Sequence, residues 1–331
     1  MQTTTSESAR LWSRRSALAG LAGGALACTG ALNGCARERR VEVATCPWAG
    51  FELEWLAQDR RLVDTTRYHM DRQTEHSAVF DLLQRGAVPA ATLGLEQVLR
   101  ARAAGLRIEV ALLIAVSRGA DGLIARDPLR SVSELAGKPV ALDGTATASL
   151  LLQRSLADAG VPLSGIRIVP LPADIDAAWA SSEVAAVVTY EPILSRLEAT
   201  GGTRLADTSH MPPFMLDVLA VRSDLGADAH AGVREVVRAY LLGRQVLRSN
   251  PFDSAYRLAA RLGMSHEEVL GLFRRLLLPD LDYNRRLLSA GSDLSAACQP
   301  LAELIQRSPG VAQSLACEGL FTDRFLPESL A

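Results

Sequence analysis

The sequence predicts an α/β protein built as two lobes, each with a mixed, mostly parallel sheet flanked by helices. Strand-like and helix-like segments alternate along most of the chain, the pattern that favours parallel sheets with helical crossovers. One segment, Ile108 to Val116, is apolar without interruption, as strands covered on both faces are. There is also an internal echo: residues 86–96, helix end, strand, polar turn and helix, line up with residues 182–192. Two such halves would face each other across a cleft. With 331 residues, 48% of them hydrophobic, the chain is long enough for both. A net charge of −2, with no block of like charge, argues against nucleic acid as a partner.

The N-terminus is a targeting segment and stands outside the fold. Residues 1–35 hold a polar start, the pair Arg14-Arg15, an apolar run from Ala17, and Leu32-Asn33-Gly34-Cys35. The stretch Ser13 to Leu18 resembles a twin-arginine export signal, with Ala17 where that motif usually has Phe; a general-secretion signal is the competing reading. Leu32, Gly34 and Cys35 resemble a lipobox, in which Cys35 would be lipidated and become the first residue of the mature protein. Ala25-Leu26-Ala27 is a competing cleavage site that would leave a soluble form.

Val41 to Ala44 alternates like a first strand, and Cys46 to Phe51 is a loop with two aromatics and a glycine, leading into a helix at Glu52 to Asp59. Trp48 and Phe51 either pack under that helix or wall a pocket. Arg67 to Met70 reads as a second strand and Ala78 to Arg85 as a helix. Ala90 to Gly94 is a strand end that enters the helix Leu95 to Ala104. After the apolar strand come Ser117 to Gly122 and a strand at Leu123 to Arg126. Further on, Ile166 to Pro170, a helix at Asp176 to Ser181, and the strand Val184 to Tyr190 follow, with Glu191-Pro192 opening the next helix. Asp217 to Arg222 is a strand, and from Ala231 the pattern is helical, including Val233 to Leu247, Pro251 to Leu262 and a capped start at Ser265.

The stretch Gly137 to Gly160 carries the strongest local signal. Pro139 to Leu142 is a short apolar strand, Asp143-Gly144 a turn, and Leu150, Leu151, Leu152 and Leu156 mark a helix opening near Thr145. The first turn, Thr145 to Ser149, offers free backbone N–H groups and small hydroxyls, the makings of an anion or polar-ligand site. Thr145 or Thr147 serving only as a helix cap is the alternative.

Across about Val41 to Leu326 the chain resembles the substrate-binding proteins of nitrate, sulfonate and taurine ABC importers. The residues that carry this are Trp48 to Phe51, Ser117 to Gly122, Asp143-Gly144 with Leu150-Leu151, Val184 to Ala186 with Tyr190 to Pro192, and Leu278 to Leu281 with Asn284 to Arg286. It departs from the family pattern where Pro89 and Ala185 stand in place of Asp. The resemblance implies a type II periplasmic-binding-protein fold. Its first lobe would comprise 41–123 and 222–331 and its second 124–221, with crossings near Leu123 to Arg126 and Val218 to Arg222. It implies a ligand held by Trp48, Gly50 and Phe51, by Thr92, Leu93 and Gly94, by Ser117 and Asp121, by Thr145, Ala146, Thr147 and Ser149, and by Glu191 and Asp217. It implies no cofactor, no metal and no catalysis. The partners would be a small solute, a permease with its cytoplasmic ATPase, and the membrane through the lipid at Cys35; the protein would be a periplasmic or cell-surface monomer.

Other readings stay open on the residues. Enzymes of thiamine-pyrimidine or menaquinone-precursor synthesis share this fold, and an exported sensor domain would read the same. The five histidines show no zinc spacing, and Cys46 is either a nucleophile at the cleft mouth or a small apolar filler. The helix start at Thr145 favours an oxyanion such as sulfonate or nitrate. Asp121, Glu191 and Asp217, if all faced the cleft, would favour an amine or heterocycle. Cys298 and Cys317 are a candidate disulfide pair in a helical hairpin around Ser308 to Gly310, in a compartment that permits one.

Overall fold

The alternation read from the sequence resolves into two sheets in a computed structural model, which describes residues 40–289, 294–307, 315 and 317–330. The export signal, Cys35 and the turn at Ser308 to Gly310 lie outside the described residues. In chain order the first half runs β1 (Val41–Thr45), α1 (Leu53–Asp59), β2 (Tyr68–Arg72), α2 (His76–Gln84), β3 (Ala90–Gly94), α3 (Leu95–Ala103), β4 (Ile108–Ser117), β5 (Asp121–Ala125), β6 (Pro139–Leu142), α4 (Ala146–Asp158) and β7 (Arg167–Pro170). Then come α5 (Ile175–Ala180), β8 (Ala186–Tyr190), α6 (Ile193–Ala199), β9 (Thr203–Asp207), β10 (Leu216–Arg222), α7 (Ala227–Ser249), α8 (Pro251–Leu262), α9 (His266–Arg274), β11 (Leu276–Leu277), α10 (Leu281–Leu288) and α11 (Leu294–Gln306).

Among the described residues the first sheet has the order β11-β4-β10-β3-β1-β2 and the second β7-β6-β8-β5-β9. β1 pairs in parallel with β2 and β3, while β10 runs antiparallel between β3 and β4. The second sheet repeats this plan: β6 is parallel to β7 and β8, and β5 runs antiparallel between β8 and β9. The echo of residues 86–96 in 182–192 is thus a repeat of position, since β3 beside β1 corresponds to β8 beside β6. Both sheets are mixed, as the two-lobed α/β fold requires.

Burial explains the sequence pattern. β4 is buried along nearly its whole length, as its unbroken apolar run demands. α7 presses its apolar stripe onto α1 and the first sheet; Gly243 lets it approach so closely that a Cβ there would overlap the Leu53 carbonyl. Ser265 caps α9 in a reciprocal capping box with Glu268, as its sequence predicts. Cys298 on α11 is bonded to Cys317, with Cα atoms 6.4 Å apart.

The crossings lie a few residues before the expected ones. Leu123 to Ala125 already belongs to β5 of the second sheet, and Val218 to Arg222 to β10 of the first. The chain changes sheet over 118–120 and 208–215 instead. These two passages are tied together: the Ser117 and Thr208 hydroxyls are 2.6 Å apart, and the Gly119 N–H donates to Thr208 Oγ1 at 2.8 Å. Gly119, with φ of +103°, makes the turn that lets them meet.

Candidate functional site

The carboxyl ends of the parallel strands in both sheets open on one cleft of about 450 Å³. In open α/β sheets this edge is where ligands bind. Trp48 beyond β1 and Gly94 at the end of β3 line it from one side, and Asp143 beyond β6 and Tyr190 at the end of β8 from the other. Because β10 and β5 run against their neighbours, their opening residues, Asp217 and Asp121, come to the same edge. Ser117, Thr145 and Thr147 complete the expected set that reaches the cleft.

Asp217 and Asp121 dominate its electrostatics. The Trp48 indole N–H donates to Asp217 Oδ2 at 2.7 Å, and the Trp48 ring meets Tyr190 edge-on, 5.9 Å between centroids, closing one end of the cleft. Burial, reinforced by the charge of Asp121, pushes the Asp217 carboxyl up to about 7 against the pull of the Trp48 hydrogen bond. Asp121 rises to about 6, chiefly through burial; the Ser117 hydroxyl opposes the rise, and Asp143 and Glu191 add to it. Among the described residues neither carboxylate has an arginine, lysine or histidine within ion-pair distance.

The start of α4 is not vacant. Glu96, on α3 across the cleft, accepts from the Ala146 N–H through Oε1 at 2.9 Å. Its Oε2 accepts from the Thr147 N–H at 2.9 Å and from the Thr147 hydroxyl at 3.0 Å. Arg100, one turn along α3, pairs with the same carboxylate at 2.9 Å. The protein's own carboxylate therefore sits where an oxyanion was expected, and it ties the two halves together. Thr145 caps α4, its hydroxyl oxygen accepting from the Ala148 N–H at 3.1 Å, and the residue also lines the cleft.

Several expected ligand contacts turn out to be supports. Phe51 is buried beneath the cleft floor beside His76, and Leu93 is fully in the core. Thr92 donates to Thr45 Oγ1 at 2.9 Å inside the first sheet. Gly50 backs onto Ala115, Trp48 and Asp217, where a Cβ would make ordinary contact with all three. The Ala146 N–H is taken by Glu96, and the Ser149 hydroxyl donates back to Thr145 O at 2.9 Å. Glu191 is buried in a three-way ion pair, 2.8 Å from Arg204 and 3.2 Å from Arg275, beside the crossings. Arg204 also donates to Gly119 O at 2.9 Å, so this cluster braces the first crossing.

Other cleft residues carried no role in the sequence reading: Glu96, Gln97, Arg100, His76, Met215 and Leu276. A turn ending in Gly94 with an acid two residues on was the available signal for Glu96. Cys46 is buried, and its thiol is pushed up to about 12 by burial first and then by Asp217 and Glu52, against the opposing charge of Arg72. It stays protonated at neutral pH. Among the described residues no group of three or more His, Cys, Asp or Glu side chains is placed to hold a metal ion.

A family profile described as NMT1/THI5 like matches residues 69–254. The chain belongs to this family. It is also 24% identical over 208 residues to the taurine-binding periplasmic protein of Escherichia coli strain K12, covering 60% of this chain and 65% of that protein. The matched stretch therefore falls just short of two thirds of that relative's length. The crystal structure of the periplasmic aliphatic sulphonate binding protein SsuA from Escherichia coli shares the fold at a TM-score of 0.72 and 17% identity, covering 87% of this chain and 99% of that one. The desulfurization enzyme DSZB shares it too, at a TM-score of 0.65 and 18% identity, covering 87% and 98%. This family's fold thus serves both binding proteins and at least one enzyme.

Proposed function

We propose that this protein is an extracytoplasmic solute-binding protein that captures a small polar solute, of the sulfonate and taurine class, and delivers it to an ABC importer. The observation that carries the reading is the cleft itself: the strand ends of both halves converge on one polar cavity, and two tied passages behind it form a hinge on which the halves can close. The taurine- and sulphonate-binding relatives favour the solute class. Cys46 supports binding over catalysis, because its thiol is buried and is not among the residues that line the cleft.

Export belongs to the same reading. The Arg14-Arg15 signal and the lipobox ending at Cys35 would deliver a monomer anchored by lipid, facing a permease with its cytoplasmic ATPase. None of the helices among the described residues is long and apolar enough to cross a membrane. Calorimetric titration of the full chain with taurine tests the binding role. One-to-one saturable heat is expected, and taurine recovered chemically altered would refute it.

A further inference from the structure

We propose that Glu96 sets the charge of the ligand: by holding the anion position at the start of α4 it excludes lone anions and reserves the cleft for solutes that present a positively charged nitrogen to Asp121 and Asp217. This rests on the solute-binding reading and deepens it by narrowing its class from sulfonates at large to nitrogen-bearing solutes such as amino-sulfonates.

An anionic solute entering from the cleft needs N–H groups, hydroxyls or cations. The first-turn donors of α4 that would serve are those of Ala146 and Thr147, and both backbone groups, with the Thr147 hydroxyl, already bond Glu96. The guanidinium lining the cleft, that of Arg100, is spent on the same carboxylate. Glu96 is itself buried, 6% exposed, so displacing it would strand a charge away from water. A solute anion therefore has to break these four contacts and leave a buried carboxylate behind.

The remaining charge points the other way. Asp121 and Asp217 face the cavity from opposite halves, among the described residues with no cation within ion-pair distance, and Asp143 lies at the same edge. His76, the histidine on the cleft, is held toward its neutral form by burial and does not offset them. A protonated amine, amidine or ring nitrogen would satisfy both aspartates at once and so bridge the halves. The Trp48 and Tyr190 rings beside them add faces and edges suited to a cation or a flat ring. An amino-sulfonate meets this requirement through its ammonium group, whereas a simple alkanesulfonate does not.

The test uses three probes on the full chain by calorimetry: ethanesulfonate as the anion, taurine as the zwitterion and benzamidinium as the cation. Wild type should bind at least one of the two nitrogen-bearing probes and bind ethanesulfonate at least ten-fold more weakly. Glu96→Gln removes the charge at near-constant shape, and Glu96→Ala frees the donors outright; either should strengthen ethanesulfonate binding about ten- to a hundred-fold, the value of a charge-assisted hydrogen bond. Asp121→Asn combined with Asp217→Asn should weaken the nitrogen-bearing probe by a similar factor, with circular dichroism reporting an intact fold. Ethanesulfonate bound by wild type as tightly as taurine, or a selectivity unmoved in both Glu96 variants, overturns the proposal and leaves the solute-binding reading standing. No heat from any probe in any of these proteins overturns both.

Discussion

Asp217→Asn should make the protein more stable at alkaline pH and change little at acidic pH. The wild-type carboxyl titrates at about 7 in the folded protein, against an ordinary value near 3.8, because burial and the neighbouring Asp121 charge disfavour ionisation. A raised folded value means the stabilising contribution is complete below about pH 4 and lost as the pH climbs through 7. A shift of about three units is worth about 4 kcal/mol at full effect. About a third of that is already spent by pH 5, and the partly exposed edge screens some of the rest, leaving about 1–2 kcal/mol between pH 5 and pH 8. Asn keeps an oxygen for the Trp48 indole, so its replacement isolates the charge. Urea denaturation of both proteins at the two pH values gives the difference of differences. The other titratable groups coupled to this position, Asp121 on β5 and Cys46 beyond β1, are present in both proteins and cancel to first order. A stability gap that does not widen from pH 5 to pH 8 would refute the reasoning.

Other consequences follow from particular residues. Glu191→Ala should destabilise the fold by about 1.5–3 kcal/mol in urea denaturation, because Arg204 loses its buried charge-assisted hydrogen bond and keeps only the more exposed Glu198 and Asp207 as partners; a loss below about 0.5 kcal/mol would remove Glu191 from the brace at the crossings. Opening the Cys298–Cys317 bridge by replacing both with Ala should cost about 3 kcal/mol for a loop of this size, read as a melting temperature that no longer responds to reductant. Cys35→Ala should abolish membrane attachment, and Arg14→Lys with Arg15→Lys should block export, both read by cell fractionation; a normally attached Cys35→Ala protein would contradict the lipid anchor. Affinity for a nitrogen-bearing ligand should rise with pH between about 5.5 and 8 as Asp121 and Asp217 ionise, and titrations across that range would show a flat profile if neither carboxylate meets the ligand.

The fold was legible because its signals are local. The apolar run of β4, the Asp143-Gly144 turn before Thr145 and the capping box at Ser265 each specify their element within a few residues. The repeat of positions 86–96 in 182–192 announced two similar halves. The crossings were displaced because a strand's apolar run shows where pairing begins and says nothing of which sheet it joins; β5 and β10 are paired from their first residues. The cleft was legible where a strand end places an aromatic beside a glycine, as for Trp48, and where the resemblance pointed to Asp121 and Asp217. It was not legible where a partner comes from the other half. Glu96 reaches donors fifty residues away on α4, and Glu191 meets Arg275 from beyond α9, so neither pairing leaves a mark in local spacing. Thr92 and Phe51 sit one pleat or one turn from residues that do face the cleft, a distinction that only packing makes.

The central claim is that the cleft holds a small solute reversibly, without bond making or breaking. Native mass spectrometry of the full chain incubated with taurine at pH 8 tests it most directly. The account predicts a one-to-one complex that adds the mass of intact taurine, releases it unchanged on denaturation, and is depleted at least ten-fold in the Asp121→Asn, Asp217→Asn protein. A covalent adduct on Cys46, a converted product, or an equally populated complex in the double variant would contradict it.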